Sequence, residues 1–540
     1  MKTILCCGLV LSALLRTTFA TEYHVAPNGS DEADGLSWAT PLQTIKKGVD
    51  KALTAGDVVW VSNGQYAVSA QISVSRGIKI RGFGDREATL VIGGYPAATN
   101  RLFYLNHADA LLDSLTITNG YLPNDNNYGG GVLSDAGTIR NCVFAGNRGG
   151  YGGGGLSCAA TLVTNCVFRD NWTQDGWGYG GGGVYIRKGS LMVDCTVVSN
   201  RAGANGGGVY FSWWDVPARV TRCRITGNTA GTDGGGVALA SSNVGTLDTC
   251  VVSNNLAKNG GGVYAVAGCW VTNCIVKGNR ATTEGGGIYL NGGGVAADCT
   301  IVDNEAGVLI ANNGGGGVKF QSGGTVKNSL IAWNRGYGYG GGAYFVGPGV
   351  FENCIIVSNR TVSATGVGGG LHSYLGGQGI TNCLIAENLA ASKAGGINFS
   401  ATSTVQNCTI YGNRVTNSSG TSCGGIFMNA GSRIQNTILY ANTALSSADW
   451  SGGIYSNCCT SVTNGMAGGN NLAANPLLRD PAGGDYRPVG GSPCVNAGLN
   501  AEWMASAVDL AFKPRVDPHS GRVDIGAYEF YSMGTIIGVE

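Results

Sequence analysis

Thirteen times between Ser114 and Asn442 the chain repeats one phrase, a small residue followed five positions later by asparagine. The asparagines are Asn119, Asn147, Asn171, Asn200, Asn228, Asn255, Asn279, Asn304, Asn334, Asn359, Asn388, Asn413 and Asn442. The small residue is cysteine at 142, 166, 195, 223, 250, 274, 299, 354, 383 and 408, and Ser114, Ser329 or Thr437 elsewhere. A variable stretch, a glycine run and an aliphatic residue follow each asparagine, as in Gly206-Gly207-Gly208-Val209, and successive copies lie 24 to 30 residues apart. A period of this size means a solenoid, whose units bury their apolar side only by stacking on one another.

The units read as short strands. Triple glycine costs about 1 kcal/mol per residue in a helix, and no three- or four-residue apolar spacing is present. Behind each glycine run stands an apolar column that includes Val132, Val184, Val209, Ile288, Ile426 and Ile454. Two residues on, many copies are apolar again (Ile186, Phe211, Leu290, Phe345), so the residue between must point outward. A second strand carries the small residue and an apolar partner two positions later, such as Phe144, Phe168 or Ile225. The expected fold is all-β, a right-handed parallel β-helix, with coils about 4.8 Å apart and a rod on the order of 60 Å for thirteen coils. Thr40-Pro41-Leu42-Gln43 reads as the start of a capping helix, with Leu42, Ile45, Val49, Ala52 and Leu53 on its apolar face and Gly56 as its stop.

The expected divisions are a secretory leader at 1–20, a cap and first coils at 21–110, repeats at 111–459 and a non-repeat region at 460–540. No other apolar run is long enough to span a membrane. Without Lys2 and Arg16, the chain holds 32 basic against 33 acidic residues. No basic stripe stands out, so no nucleic-acid partner is expected. The ten repeat cysteines read as a column selected for small volume, since in-register neighbours on a parallel ladder stand slightly beyond disulfide reach. Cys458, Cys459 and Cys494 lie outside the repeat, and any pair among them is open to bridging.

The asparagines are expected at corners, adopting the left-handed conformation and hydrogen-bonding from coil to coil. The outward column holds Tyr185, Tyr210, Ala238, Tyr264, Tyr289, Lys319, Tyr344, His372, Asn398, Phe427 and Tyr455. Its tyrosines form an expected solvent-facing stripe suited to sugar rings, or a stack that only covers the ladder. A polar row of Asn205, Asp233, Asn259, Glu284 and Asn313 precedes the glycines. Asp233 and Glu284 make it a candidate calcium site, or a set of turn residues. Glycosidase chemistry needs two carboxylates across one substrate. Asp170, Asp303 and Glu387 share a column but lie on distant coils.

Three stretches resemble known families. Phe144 to Asn147 and Phe168 to Asn171, alternating with Gly-Gly-Val or Gly-Gly-Ile, resemble the repeats of polymorphic outer-membrane proteins, which are bacterial surface β-helices. Tyr23 through Pro27-Asn28-Gly29-Ser30-Asp31, Gly35, Trp38, Thr44-Ile45, Gly56-Asp57 and Tyr66 resembles the entry to pectin-lyase-like β-helices. Asn475-Pro476-Leu477, Asp485-Tyr486-Arg487, Ser492-Pro493, Asn496-Ala497-Gly498, Arg515 and Val523 to Glu529 resemble the choice-of-anchor Q domain. The resemblances imply a surface protein of adhesin type. With the leader and the outward column, the expected function is that of an exported or cell-surface, non-catalytic protein with glycans as partners, bound by Tyr185, Tyr210, Tyr264, Tyr289 and Tyr344. The pectin-lyase-like resemblance implies an alternative, a calcium-dependent lyase of uronate polymers with Lys319, His372 or Tyr344 as base. A structural spacer is the third reading, and Asp524 to Glu529 is expected to dock on the last coil.

Overall fold

The computed structural model describes residues 20–531 apart from 124–127, 175–178, 213–215, 241–244, 308–312 and 417–421. The expected leader lies outside the described residues except for Ala20. The chain winds as a right-handed parallel β-helix. One coil shows the plan: strand Val209–Phe211, strand Ala218–Thr221, a corner at Arg222, strand Arg224–Thr226, a corner at Gly227, and the two-residue strand Thr229–Ala230. The first two strands belong to a wide parallel sheet, the third to a second sheet and the last to a narrow third sheet. The rungs pair in register, for example Val184 with Val209 and Val237, with shifts between Leu105 and Leu111 and between Ala257 and Asn259.

The inward columns are buried as their alternation requires. Val209, Val237, Val220, Ile225 and Phe168 are fully buried, and one apolar cluster runs the length of the rod from Val25 to Cys458. Equivalent side chains stack directly, as in Phe144 on Phe168 and Phe320 on Phe345, with ring centroids 4.6 and 4.4 Å apart. The cysteine column is a buried file of thiols. The Cys195 amide donates to Cys223 Sγ at 3.4 Å, and the Cys223 amide to Cys250 Sγ at 3.3 Å. All described cysteines are thiols, Cys458, Cys459 and Cys494 among them.

The asparagines form a buried amide ladder. Asn228 Oδ1 accepts from the Asn200 amide at 2.9 Å and from Asn200 Nδ2 at 3.0 Å, while Asn200 Nδ2 also donates to the Phe168 carbonyl. The left-handed residue is not the ladder asparagine, as the sequence suggested, but the one before it: Asp170, Ser199, Gly227, Asn254. A second left-handed residue precedes each small residue from Cys142 on, often asparagine, as at Asn141, Asn165 and Asn273, while in the first copy Ser114 is itself left-handed. The reason is geometric. The corner must turn before the ladder side chain can point inward. Asn119 is the exception: it is itself left-handed, and Gly120 occupies the ladder position, donating its amide to Asn147 Oδ1.

The two ends of the rod depart from the repeat. The capping helix is Ile45–Lys51, four residues later than the Thr40-Pro41 start. Thr44 is its N-cap, with Oγ1 accepting from the Lys47 amide, and Asp31 binds the Gln43 and Thr44 amides. Leu42 precedes the helix and bridges to Val25, while Leu53 is exposed. At the far end the inward residue is Tyr455, paired with Ile434, and Ile454 faces solvent. Strands continue past 460, with Leu472–Ala473 pairing Cys459–Thr460.

The rest of the C-terminal region lies along the side of the last coils, on the outer face of the second sheet, rather than over the end of the rod. Tyr486 packs with Leu384 and Ala386 and donates to Glu387 Oε1 at 3.1 Å. The Ala527 amide donates to Thr409 Oγ1, and the Gly526 amide to the Asn436 carbonyl. Arg515 and Glu529 form a buried pair at 3.1 Å that ties this segment together.

Candidate functional site

The residues singled out by the outward column stand on consecutive coils in register: Tyr289, Lys319, Tyr344, His372 and Asn398. They do not face solvent. Tyr185, Tyr210, Tyr289, Tyr344, Lys319 and His372 are all buried, and Tyr264 is half-buried. Described residues of several connecting segments, Tyr128, Gly152, Tyr179 and Tyr339 among them, lie over this part of the wide sheet. Gly152 passes so close to the Tyr185 ring that a Cβ there would lie 2.5 Å from it. Tyr128 packs on Tyr185 and Tyr179 on Tyr210, with centroids 5.1 and 6.3 Å apart. The expected solvent-facing stripe is therefore an inner layer. Its rings stack on one another, Tyr185 on Tyr210 and Tyr264 on Tyr289, each pair at 5.3 Å. Its hydroxyls are held within the layer, Tyr185 by Ser212 and Tyr289 by Gln321.

The layer has one charged segment. Lys319 Nζ donates to Glu284 Oε1 at 2.6 Å and lies 3.8 Å from the centre of the Tyr344 ring. Burial lowers the lysine to about 8 despite the carboxylate beside it. His372 stacks on Tyr339 and Tyr344 and takes a hydrogen bond from Asn398 Nδ2 at 2.8 Å. Burial, helped by the charge of Lys393, lowers it to about 3, so the ring is neutral. Lys319 and Tyr344 thus hold the order the sequence suggested, but a base that is fully covered and ion-paired has no path to a polymer in this conformation.

The candidate cation row is assembled but already satisfied. Asp233 pairs with Asn259, and Asn259 with Glu284, so two coil steps, about 10 Å, separate the carboxylates. Asn259 Nδ2 donates to Asp233 Oδ1 at 3.0 Å, and Asn205 Oδ1 accepts from the Asp233 amide. Burial raises Asp233. A cation at Glu284 would have to displace the lysine. Among the described residues, no three His, Cys, Asp or Glu side chains converge. This donor set does not fit calcium.

What the outward pattern missed is an exposed aromatic ledge on the first coils. His24, Trp60 and Arg81 follow one another in register, Phe83 lies two residues beyond Arg81, and Trp38 comes from the loop before the helix. Trp38 contacts His24 and Phe83 at 4.6 and 5.1 Å, and Phe83 contacts Trp60 at 6.1 Å. Arg81 lies over Trp60 at 5.5 Å. Trp38 is 39% exposed and Phe83 57%. No repeat signals this cluster, because its members come from the irregular entry to the solenoid.

A stretch of 67 residues is 37% identical to pectate lyase PEL9 of Emericella nidulans, and the chain covers 16% of that protein's length. Among solved structures, pectate lyase Pel9A aligns over 94% of this chain and 96% of its own at 13% identity, with a TM-score of 0.22. XylC in complex with xylose aligns over 94% and 98% at 10% identity, with a TM-score of 0.33. The family described as the right-handed beta helix region matches residues 102–269, 157–321 and 208–378, together just over half of the chain. With the parallel three-sheet coil and its continuous core, this places the chain in the right-handed β-helix family.

Proposed function

We propose that the protein is an exported or cell-surface β-helix that binds glycans on its outer surface without processing them. The ledge of Trp38, Phe83 and Trp60 is the observation that carries the reading. Large aromatic faces left half-exposed on a rigid rod lose apolar contact with water when a sugar ring stacks on them, and they need no rearrangement to do so. The flanking Arg81 and His24 supply polar groups that orient a hydroxylated ligand. The non-catalytic reading is supported by the sealed state of Lys319 and His372, the groups best suited to take a proton.

The experiment is a glycan array with the secreted protein and its Trp38→Ala/Phe83→Ala variant, beside a lyase assay on pectate and alginate with and without calcium. Binding that falls by roughly tenfold in the variant, with no unsaturated product formed, is the expected result. Turnover that Lys319→Ala abolishes would replace this reading by a lyase. Binding to no glycan, together with no turnover, would leave a structural spacer.

A further inference from the structure

The narrow third sheet carries an arrangement that the tyrosine layer and the ledge do not. Its outward position is the residue directly after each ladder asparagine, and six times that residue is arginine: Arg148, Arg201, Arg280, Arg335, Arg360 and Arg414. At this position the strands stay in register from coil to coil, so these side chains fall in one file along the rod. At about 4.8 Å per coil, the file is on the order of 50 Å long. All but Arg148 are exposed. Arg148 is held between the Tyr95 and Trp172 rings, at 4.5 and 3.9 Å, and Arg280 lies 3.6 Å from Glu305. Arg201, Arg335, Arg360 and Arg414 have no acidic partner among the described residues. Glu305 is the only acid within the file; Asp170, Asp303 and Glu387 flank the file two residues earlier on their coils, and Glu387 is taken by Tyr486.

The stretch beyond Glu305 combines repulsion, a strained corner and exposed rings. Arg335 and Arg360 are direct register partners, and like charges placed opposite each other on neighbouring strands repel. One residue before the ladder, at the left-handed corner, other coils place Gly, Asp, Ser, Asn, Glu387 or Ala441, whereas this coil places the bulky Trp333 at φ 55°. A tryptophan there carries the strain that bulky side chains meet in this region, and it leaves its indole 54% exposed. Tyr337, two residues past Arg335, is 37% exposed. One coil thus turns Trp333, Arg335 and Tyr337 outward, with Arg360 beside them. Repulsion between neighbouring coils and rings left open to water are unfavourable in the isolated protein, and an anionic partner that stacks on the rings offsets both.

We propose that this face binds a linear anionic polysaccharide, with its centre at Trp333, Arg335, Tyr337 and Arg360. The guanidinium forks take carboxylate or sulfate groups, and the indole and phenol rings stack on the sugar faces between them. A pyranose ring in an extended chain is about as long as the spacing between neighbouring strands, on the order of 5 Å, so the file and the polymer keep step. A near-neutral chain, pI ≈ 7.4, lacks the overall positive field of nucleic-acid binders, which favours a polymer whose charges are spaced by rings. The proposal rests on the reading of the protein as a glycan binder, and adds the chemical class and the face.

The test measures binding of the whole secreted protein to polygalacturonate, dextran sulfate, neutral dextran and an oligodeoxythymidylate over a salt series. Two variants accompany it: Arg335→Gln/Arg360→Gln and Trp333→Gly. Expected are salt-sensitive binding to one or both acidic polysaccharides and a loss of roughly tenfold in the arginine variant, with the salt slope reduced by about one per lost contact. Polygalacturonate alone identifies carboxylate as the ligand group, and dextran sulfate alone identifies sulfate. Trp333→Gly is expected to melt no lower than the parent while binding more weakly, which separates the tryptophan's role from fold maintenance. Unchanged polymer binding in the arginine variant overturns the proposal, as does tighter binding to the oligonucleotide than to either polysaccharide. A protein that binds array glycans through Trp38 and Phe83 but no acidic polymer loses this proposal and keeps the parent reading. One that binds neither loses both.

Discussion

Asp449 Oδ1 accepts both the backbone amide and the side-chain Nδ2 of Asn442, at 3.1 and 3.0 Å, and so ends the asparagine ladder with a carboxylate. Each rung upstream satisfies its donors with the oxygen of the next asparagine, as Asn413 does with Asn442. The last rung has no further coil of the same kind, and Asp449, seven residues on, folds back to take the place of one.

Asp449→Ala is expected to leave two buried donors unpaired and to cost about 1–3 kcal/mol. Asp449→Asn keeps an acceptor oxygen and should restore most of that loss. Urea unfolding followed by circular dichroism, with the slopes compared, checks both.

The Lys319–Glu284 pair makes a coupled prediction. Breaking it by Glu284→Gln strands a buried ammonium and should cost roughly 3 kcal/mol, Lys319→Met leaves a half-buried carboxylate and should cost less, and the double variant should cost less than the sum of the two. The pair also sets an alkaline trend. Lys319 titrates at about 8 in the folded protein and near 10.4 when unfolded. Between those values the unfolded chain holds the proton that the folded one has released. The site's contribution to stability therefore rises with pH from about 8 to about 10. The difference between parent and Lys319→Met, measured across that window, should show the rise.

His372 acts at the acid end. Its ring is held to about 3 by burial, against about 6.5 when unfolded. As pH falls through that interval, the unfolded chain takes up a proton that the folded one refuses, so stability is lost progressively. His372→Phe keeps the stack on Tyr339 and Tyr344 and removes the titration. Its acid-unfolding midpoint is expected at lower pH than the parent's, relative to their stabilities at pH 7.

Glycines in the runs are not interchangeable with glycines elsewhere. A Cβ at Gly207 would lie 2.4 Å from the Gly235 carbonyl oxygen and 2.5 Å from the Thr229 carbonyl, both backbone, so the coils would have to part. Gly207→Ala is expected to cost more than about 3 kcal/mol. Gly292 has open space around it and only a positive φ of 69°, so Gly292→Ala should cost about 1 kcal/mol. Thermal melts of the two variants make the comparison.

The coil was legible because in-register stacking turns a column in the sequence into a column in space. Period, inward residues, thiol file and amide ladder could all be read without coordinates. Slips came where the register shifts by one, at Asn119 against Gly120 and at Ile454 against Tyr455. The asparagines before the cysteines, such as Asn165 and Asn273, already marked the left-handed corners, but the more regular ladder drew that assignment. The arginines after Asn200, Asn334 and Asn359 were equally visible. An overall charge of +1 hides a local file, and only the register aligns it.

The sequence by itself determined what points inward, since a repeating coil must bury the same positions each time and alternation settles the rest. Only the tertiary structure decided which outward positions meet water. The covering segments vary in length and pass over neighbouring coils, so Tyr185, Lys319 and His372 are enclosed while Trp333, Arg335 and Arg360 stand open. The ledge of Trp38, Trp60 and Phe83 likewise exists only once the capping loop and first coils come together. Exposure depends on what packs on top, and that contact is between segments with no periodic relation in the chain.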